Sequence, residues 1–178
     1  FSYEGEFKNG QLDGKGRFIW HKSAVYNDYV GEFKNNQLQG KGTLTWVNGD
    51  IATGNFIDGK QEGFGNKVFK TGDEYTGEFK GGFFNGKGKY VDVDGTIYEG
   101  DFKDENFNGF GKMYYPNGDK YEGDWKNGKR DGKGLWSAAD GSSYDGEWKE
   151  GLPHGKGIMT SSDGKKQESI FFQGKIKK

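Results

Sequence analysis

The chain has 178 residues, with 26 basic and 27 acidic side chains and a formal net charge of −1. That balance excludes an overall electrostatic drive toward nucleic acid or an anionic membrane, and the absence of cysteine excludes disulfides and thiolate metal sites. Only 30% of residues are hydrophobic, yet 17% are aromatic and 34 residues are Gly, so the core must be made of rings rather than aliphatic side chains.

No apolar run approaches the roughly 20 residues of a membrane-spanning helix, and no secretory leader pattern is present. The expected location is therefore the cytoplasm. The chain opens at Phe1, almost inside its first motif, as expected of a piece of a longer array.

From Tyr3 onward one phrase recurs: Tyr-x-Gly, an acid, a ring, Lys, then a turn and Gly-x-Gly. Its first Gly falls at Gly5, Gly31, Gly54, Gly77, Gly100, Gly123 and Gly146, so the first step is 26 residues and each later step is 23. A fixed period in this range predicts a repeat architecture in which each unit buries its apolar surface against its neighbours.

The unit beginning at Tyr121 shows how a repeat is built. Tyr121, Gly123 and Trp125 alternate with Glu122, Asp124 and Lys126, which predicts a half-solvated strand. Asn127-Gly128 supplies the positive φ angles of a hairpin turn. The return strand carries Gly132, Gly134 and Trp136, and Asp140-Gly141 turns the chain into the next unit. Each repeat thus reads as one β-hairpin, and the predicted fold is all-β: an elongated, curved, single-layer antiparallel sheet of consecutive hairpins. The predicted organisation is a single array over 1–178, with repeats starting near 3, 29, 52, 75, 98, 121 and 144 and a degenerate terminal strand at 167–174.

Compared across repeats, the opening position is Tyr except at Ala52, and the second ring is always Phe or Trp. Gly inside a strand weakens it and needs a reason. The expected reason is space, with a large ring from an adjacent strand lying flat over Gly. The acids and lysines of the phrase form an alternating ionic face, expected to be solvated.

Three places break the pattern. The first inter-repeat turn, His21 to Asp28, holds three extra residues and is expected to bulge as a surface loop. The third repeat has Ala52 for Tyr, Asn55 for the acid, and Lys67 in an apolar column, which suggests a notch with a cation beside it. At the end of the chain Ile170 and Phe172 replace the charges expected there, so the last strand is apolar on both faces, whereas edge strands are usually guarded by charge. Ile170, Phe171 and Phe172 are therefore expected to be covered by a second copy of the chain or by a partner. The tail carries Lys165, Lys166, Lys175, Lys177 and Lys178, a cluster of the kind that can bind anionic lipid.

The phrase and its period resemble the MORN repeat (membrane occupation and recognition nexus), best at Tyr121-Glu122-Gly123-Asp124-Trp125-Lys126 and Tyr144-Asp145-Gly146-Glu147-Trp148-Lys149. The resemblance covers nearly the whole chain. It implies a curved sheet whose rings and glycines line a concave groove, and an assembly role of the kind family members have in cilia, junctional membranes and cytoskeletal scaffolds.

No catalytic constellation is expected. His21 and His154 are the only histidines and lie in different turns, which precludes a Ser-His-Asp arrangement or a histidine metal cluster. Gly86-Lys87-Gly88 lacks the frame of a phosphate-binding loop. No cofactor is expected. The functional expectation is a non-catalytic scaffold that binds a protein partner through Tyr75, Phe79, Tyr98, Phe102, Tyr121, Trp125, Tyr144 and Trp148, in a cytoskeletal or ciliary assembly, with homodimerisation through the C-terminal strand. Two alternatives stand beside it: a phosphoinositide-binding module peripheral to a membrane, and a regulatory array of a larger enzyme.

Overall fold

The computed structural model describes residues 1–177, which form strands joined by turns with no helix. Sixteen antiparallel strands follow one another in chain order, as the hairpin reading predicts. The chain divides into two compact units, Phe1–Gly86 and the residues from Lys87 onward. The first holds β1 (Ser2–Lys8), β2 (Gln11–Ile19), β3 (Tyr26–Lys34), β4 (Gln37–Trp46), β5 (Ile51–Ile57), β6 (Lys60–Val68) and β7 (Glu74–Lys80), and within it β8 (Phe83–Val91) begins. The second continues with β9 (Ile97–Lys103), β10 (Asn106–Tyr114), β11 (Lys120–Lys126), β12 (Lys129–Ser137), β13 (Ser143–Lys149), β14 (Leu152–Thr160), β15 (Lys166–Phe172) and the short β16 (Lys175–Ile176).

The turns within hairpins are two residues long, and both residues have positive φ. Asn127 and Gly128 sit at 49° and 79°, as the Asn-Gly pair predicts. The same geometry is imposed on less suitable pairs, Asn35-Asn36 at 48° and 65° and Asp104-Glu105 at 47° and 65°. The repeat therefore dictates the turn even where the residues do not favour it.

Each glycine of the Gly-x-Gly pair has its own task. The first, such as Gly132 with φ of 112°, stands at a bulge where the register shifts between Gly123 and Trp125 of β11. The acid of the phrase folds over it: Asp124 Oδ2 accepts the Lys133 amide at 2.9 Å, and Asp101 Oδ2 accepts the Phe110 amide at 3.1 Å. The acid column is thus part of the hairpin's hydrogen bonding as well as a solvated face. The second glycine makes room for a ring. A Cβ on Gly134 would overlap the Tyr121 ring, and one on Gly111 would overlap Tyr98, as the ring-over-Gly reading expects.

The tyrosines lie at the centre of this layer. Tyr29, Tyr75, Tyr98 and Tyr121 are at most 1% exposed. Each hydroxyl donates to the backbone carbonyl three residues on, as in Tyr75 to Glu78 at 2.8 Å and Tyr98 to Asp101 at 2.9 Å. The polar tip of a buried ring is thereby satisfied.

The first inter-repeat turn is tighter than expected. Tyr26, Asn27 and Asp28 belong to β3, and the Trp20 amide donates to the Asn27 carbonyl at 2.9 Å. Ser23 Oγ accepts the amides of Val25 and Tyr26 at 3.1 and 3.0 Å, which closes the remaining loop. The extra residues partly lengthen a strand.

Candidate functional site

The eight rings named as a partner-binding groove are all interior, between 0 and 6% exposed. They interlock edge to face. Tyr75–Phe79, Tyr98–Phe102 and Tyr121–Trp125 each have centroids 5.1 Å apart, and Tyr144–Trp148 5.2 Å. Tyr98 and Tyr121 also meet the second ring of the following repeat, Trp125 at 5.4 Å and Trp148 at 5.3 Å. The indoles of Trp125 and Trp148 donate to the carbonyls of Gly111 and Gly134 at 3.2 and 2.9 Å.

A further column lies on top of these rings. Phe84 stacks on Tyr75 at 3.8 Å and Phe107 on Tyr98 at 3.9 Å, both nearly parallel. The Arg130 guanidinium sits 4.3 Å from the Trp148 ring and donates to the Gly151 carbonyl at 3.0 Å. The eight rings are cohesive core, and a partner reaches their faces only by displacing this cover. Sequence reasoning missed the column, although a signal existed. Leu12, Leu38, Gln61, Phe84, Phe107, Arg130 and Pro153 each stand two residues before the first Gly of the pair, and most are apolar.

The third repeat repairs its own defect. Ala52 leaves the tyrosine's place empty, and the buried Gln61 enters it from β6. Its Nε2 lies over Gly54 and Gly65, where other repeats have a tyrosine, and donates to the carbonyls of Thr53 and Asn66 at 3.1 and 3.4 Å. The expected notch is therefore filled. Lys67 lies with its ammonium 5.2 Å from the Trp46 ring and 4.7 Å from that of Phe69, so the cation is engaged by two aromatic faces.

Open aromatic surface exists elsewhere in the first unit, at positions not singled out in the sequence. Phe1 stacks on Phe18 at 4.9 Å, Phe18 meets Trp20 at 4.7 Å, Trp20 meets Tyr26 at 5.4 Å, and Tyr26 meets Trp46 at 6.3 Å. Phe1 and Tyr26 are exposed, and Phe18, Trp20 and Trp46 are half-buried. Beside them a cleft of about 420 Å³ is lined by Phe18, Trp20 and Tyr26 together with Leu12 and Leu38. Two tryptophans at the same register, 26 residues apart, were the available sequence signal.

At the C-terminal end the three predicted residues separate. Phe171 is buried against Tyr144 at 5.0 Å, whereas Ile170 and Phe172 are 50% and 58% exposed. Ile170 lines a cleft of about 980 Å³ together with Ile158 and Ile176. In the basic tail, Lys165 pairs with Asp163 at 2.8 Å, and Lys178 lies outside the described residues. His154 meets the ring of Phe172 at 5.5 Å. No group of three or more His, Cys, Asp or Glu side chains suited to a metal ion occurs among the described residues.

The large electrostatic perturbations fall on the core tyrosines. Burial pushes the Tyr29 phenol up to about 12, and burial followed by the charge of Glu78 or Asp101 raises Tyr75 and Tyr98 further. These phenols serve structure and are not poised for proton transfer near neutral pH.

Comparison with solved structures finds weak likenesses. The TCP domain of SAS-4 from Drosophila melanogaster, solved in complex with a proline-rich motif, is 15% identical, with 72% of this chain and 83% of that one covered and a TM-score of 0.37. Catalytically inactive virginiamycin B lyase from Staphylococcus aureus is 12% identical, covering 96% of this chain and 74% of that one with a TM-score of 0.22. Neither likeness bears on function at these TM-scores. No curated protein matches. The MORN repeat pattern matches seven consecutive segments, residues 3–24, 29–51, 53–74, 75–97, 98–120, 121–143 and 144–166. With its hairpins, glycine pairs and interlocked tyrosines accounted for across those segments, the chain belongs to the MORN repeat family.

Proposed function

We propose that the chain is a non-catalytic scaffold that holds a protein partner in a cytoskeletal or ciliary assembly. The observation that carries this reading is the open row Phe18–Trp20–Tyr26–Trp46 beside an apolar cleft. Aromatic side chains with a polar tip make efficient interface anchors, and a row of them left half-exposed invites a partner. The cytoskeletal or ciliary setting rests on the settings in which family members occur. Affinity capture from the source cell, with mass spectrometry, compares the natural chain with a Trp20→Glu/Trp46→Glu variant. A partner held by the first and lost by the second is the expected result. An identical set of captured proteins would remove the row from the reading, and no specific capture at all would remove the scaffold.

Self-association through the C-terminal hairpin is a second part of the proposal, supported by the exposure of Ile170, Phe172 and Ile176. Light scattering of an Ile170→Lys/Phe172→Lys variant tests it. A drop in mass relative to the natural chain is expected, and an unchanged mass overturns it.

A further inference from the structure

In six repeats the acid of the phrase covers the first glycine of its own Gly-x-Gly pair. Glu6, Glu32, Glu78, Asp101, Asp124 and Glu147 each bring a carboxylate oxygen within 3.0 Å of where a Cβ on that glycine would stand. Three of these acids also accept the amide that follows the glycine, those of Phe110, Lys133 and Lys156 at 3.1, 2.9 and 3.3 Å. Asp101 does a second task with its other oxygen. Oδ2 accepts the Phe110 amide, and Oδ1 pairs with Lys87 of the preceding repeat at 2.7 Å.

The third repeat lacks this carboxylate. Asn55 holds the place, and its side chain makes no hydrogen bond among the described residues. Nothing lies within 4 Å of a Cβ on Gly63. The Phe64 amide, equivalent to that of Phe110, has no side-chain acceptor among the described residues. Lys41 faces Asn55 between β4 and β5, in the relation Lys87 has to Asp101, and forms no ion pair among the described residues. One absent carboxylate thus leaves two groups without the partner that Asp101 gives their equivalents. Gln61 repairs the ring face of this repeat, and the opposite face stays open.

A cleft of about 410 Å³ lies there, lined by Lys41, Thr43, Thr53, Asn55 and Phe64. The hydroxyls of Thr43 and Thr53 are 3.2 Å apart, so one donates to the other and the second keeps its hydrogen for a ligand. The lining holds one cation and no acid. Glu78, across the ladder from Phe64, is turned over Gly86. The Phe64 ring is 70% exposed and gives the cleft an apolar wall.

We infer that this cleft binds a Glu or Asp side chain of the protein partner, which takes the place that Asp101 fills within its own repeat. This rests on the scaffold reading and names one contact of the partner. The filled repeats define the occupant. They use both Glu and Asp, so the place accepts a carboxylate on either length of stem. Two oxygens in one plane serve an amide and an ammonium at once, and such charge-assisted bonds are the strong ones. A carboxamide does not substitute, since Asn55 stands at the place and engages neither group.

The test uses the full chain and a blocked six-residue peptide, Gly-Ser-Glu-Phe-Ser-Gly. The same peptide with Gln for Glu, and inorganic phosphate, serve as comparators. Binding is followed through backbone amide signals in a nitrogen-labelled NMR spectrum. Saturable shifts at Lys41, Gly63 and Phe64, with Gly132 and Lys133 unmoved, are expected for the Glu peptide alone. Asn55→Asp returns a carboxylate to the chain itself. It should raise the melting temperature and weaken the Glu peptide at least about tenfold, a loss of binding that unfolding cannot explain. Lys41→Met should weaken the peptide about threefold. Absence of a saturable shift, equal binding of the Gln peptide, or undiminished binding by Asn55→Asp would overturn the inference. Phosphate moving the same signals at equal concentration would also overturn it, by showing a site for any small anion. Capture from the source cell separates the two readings. If Asn55→Asp holds the cellular partner as well as the natural chain does, the scaffold survives and the carboxylate contact fails. If the peptide binds as expected but no partner is captured, the scaffold fails and the carboxylate site stands.

Discussion

Gln61 fills the place that Ala52 leaves empty, donating from Nε2 to the Thr53 carbonyl at 3.1 Å while lying over Gly65. The pair is a compensated defect. In the preceding repeat the same two positions hold Tyr29 and Leu38, a ring with an aliphatic cover.

The two positions should therefore couple. Gln61→Ala is expected to cost about 2 kcal/mol, through lost hydrogen bonds and a cavity. Ala52→Tyr alone should also destabilise, by about 2 kcal/mol, because the ring and the carboxamide claim one space. The double change Ala52→Tyr/Gln61→Leu restores the ordinary pairing and should cost less than the two separate changes together by at least about 1 kcal/mol. Urea unfolding of the three variants measures the coupling, and strict additivity would contradict it.

Gly134→Ala probes the ring-over-glycine packing, since its Cβ would overlap the Tyr121 ring. A loss of about 3 kcal/mol is expected from overpacking. Gly141→Ala is the control. Its φ of 89° strains the backbone, but nothing lies within 4 Å of the added Cβ, so the cost there is that of the left-handed conformation alone, about 1–2 kcal/mol. Equal losses at the two positions, read from denaturant midpoints, would remove the steric explanation.

The Asp104-Glu105 turn holds two non-glycine residues at positive φ, 47° and 65°. Asp104→Asn/Glu105→Gly supplies the pair this turn geometry favours and should stabilise by about 0.5–1 kcal/mol, after allowing for the added freedom of the unfolded chain. Differential scanning calorimetry should show a higher Tm. An unchanged or lower Tm would mean that the turn carries no strain.

Alkaline pH should unfold the protein through its tyrosines. The folded phenol of Tyr29 is raised to about 12 from an ordinary 10, and those of Tyr75, Tyr98 and Tyr121 are raised as well. Above pH 10 the unfolded chain releases protons that the folded chain retains, so stability is full below pH 10 and falls as pH rises toward the folded values. The slope is about 1.4 kcal/mol per pH unit for each such tyrosine. Denaturant titrations at pH 9, 10.5 and 11.5 should show falling midpoints together with the absorbance of phenolate. A constant midpoint would mean that these rings ionise without unfolding.

Much of the hairpin was legible because its determinants are local. Asn127-Gly128 sets a turn by its φ preferences, and alternation of Tyr121, Gly123 and Trp125 sets the strand. The candidate surface was less legible. Tyr98 and Tyr121 look like groove anchors because a strand pattern shows which side a ring points to but not what lies over it. Their cover comes from Phe107 and Arg130, which stand at the start of the return strands, just before the bulge that shifts their register. Trp20 and Trp46 were passed over because they stand next to turns, outside the recurring phrase.

The sequence alone determined the repeat, its hairpins and the need for glycine beneath a ring, since backbone conformation and period are properties of neighbouring residues. The tertiary structure decided which rings are core and which remain open, because exposure depends on side chains brought from other strands. It also turned the defective third repeat into a closed one, through a glutamine whose position in the chain gives no hint that it stands in for a tyrosine.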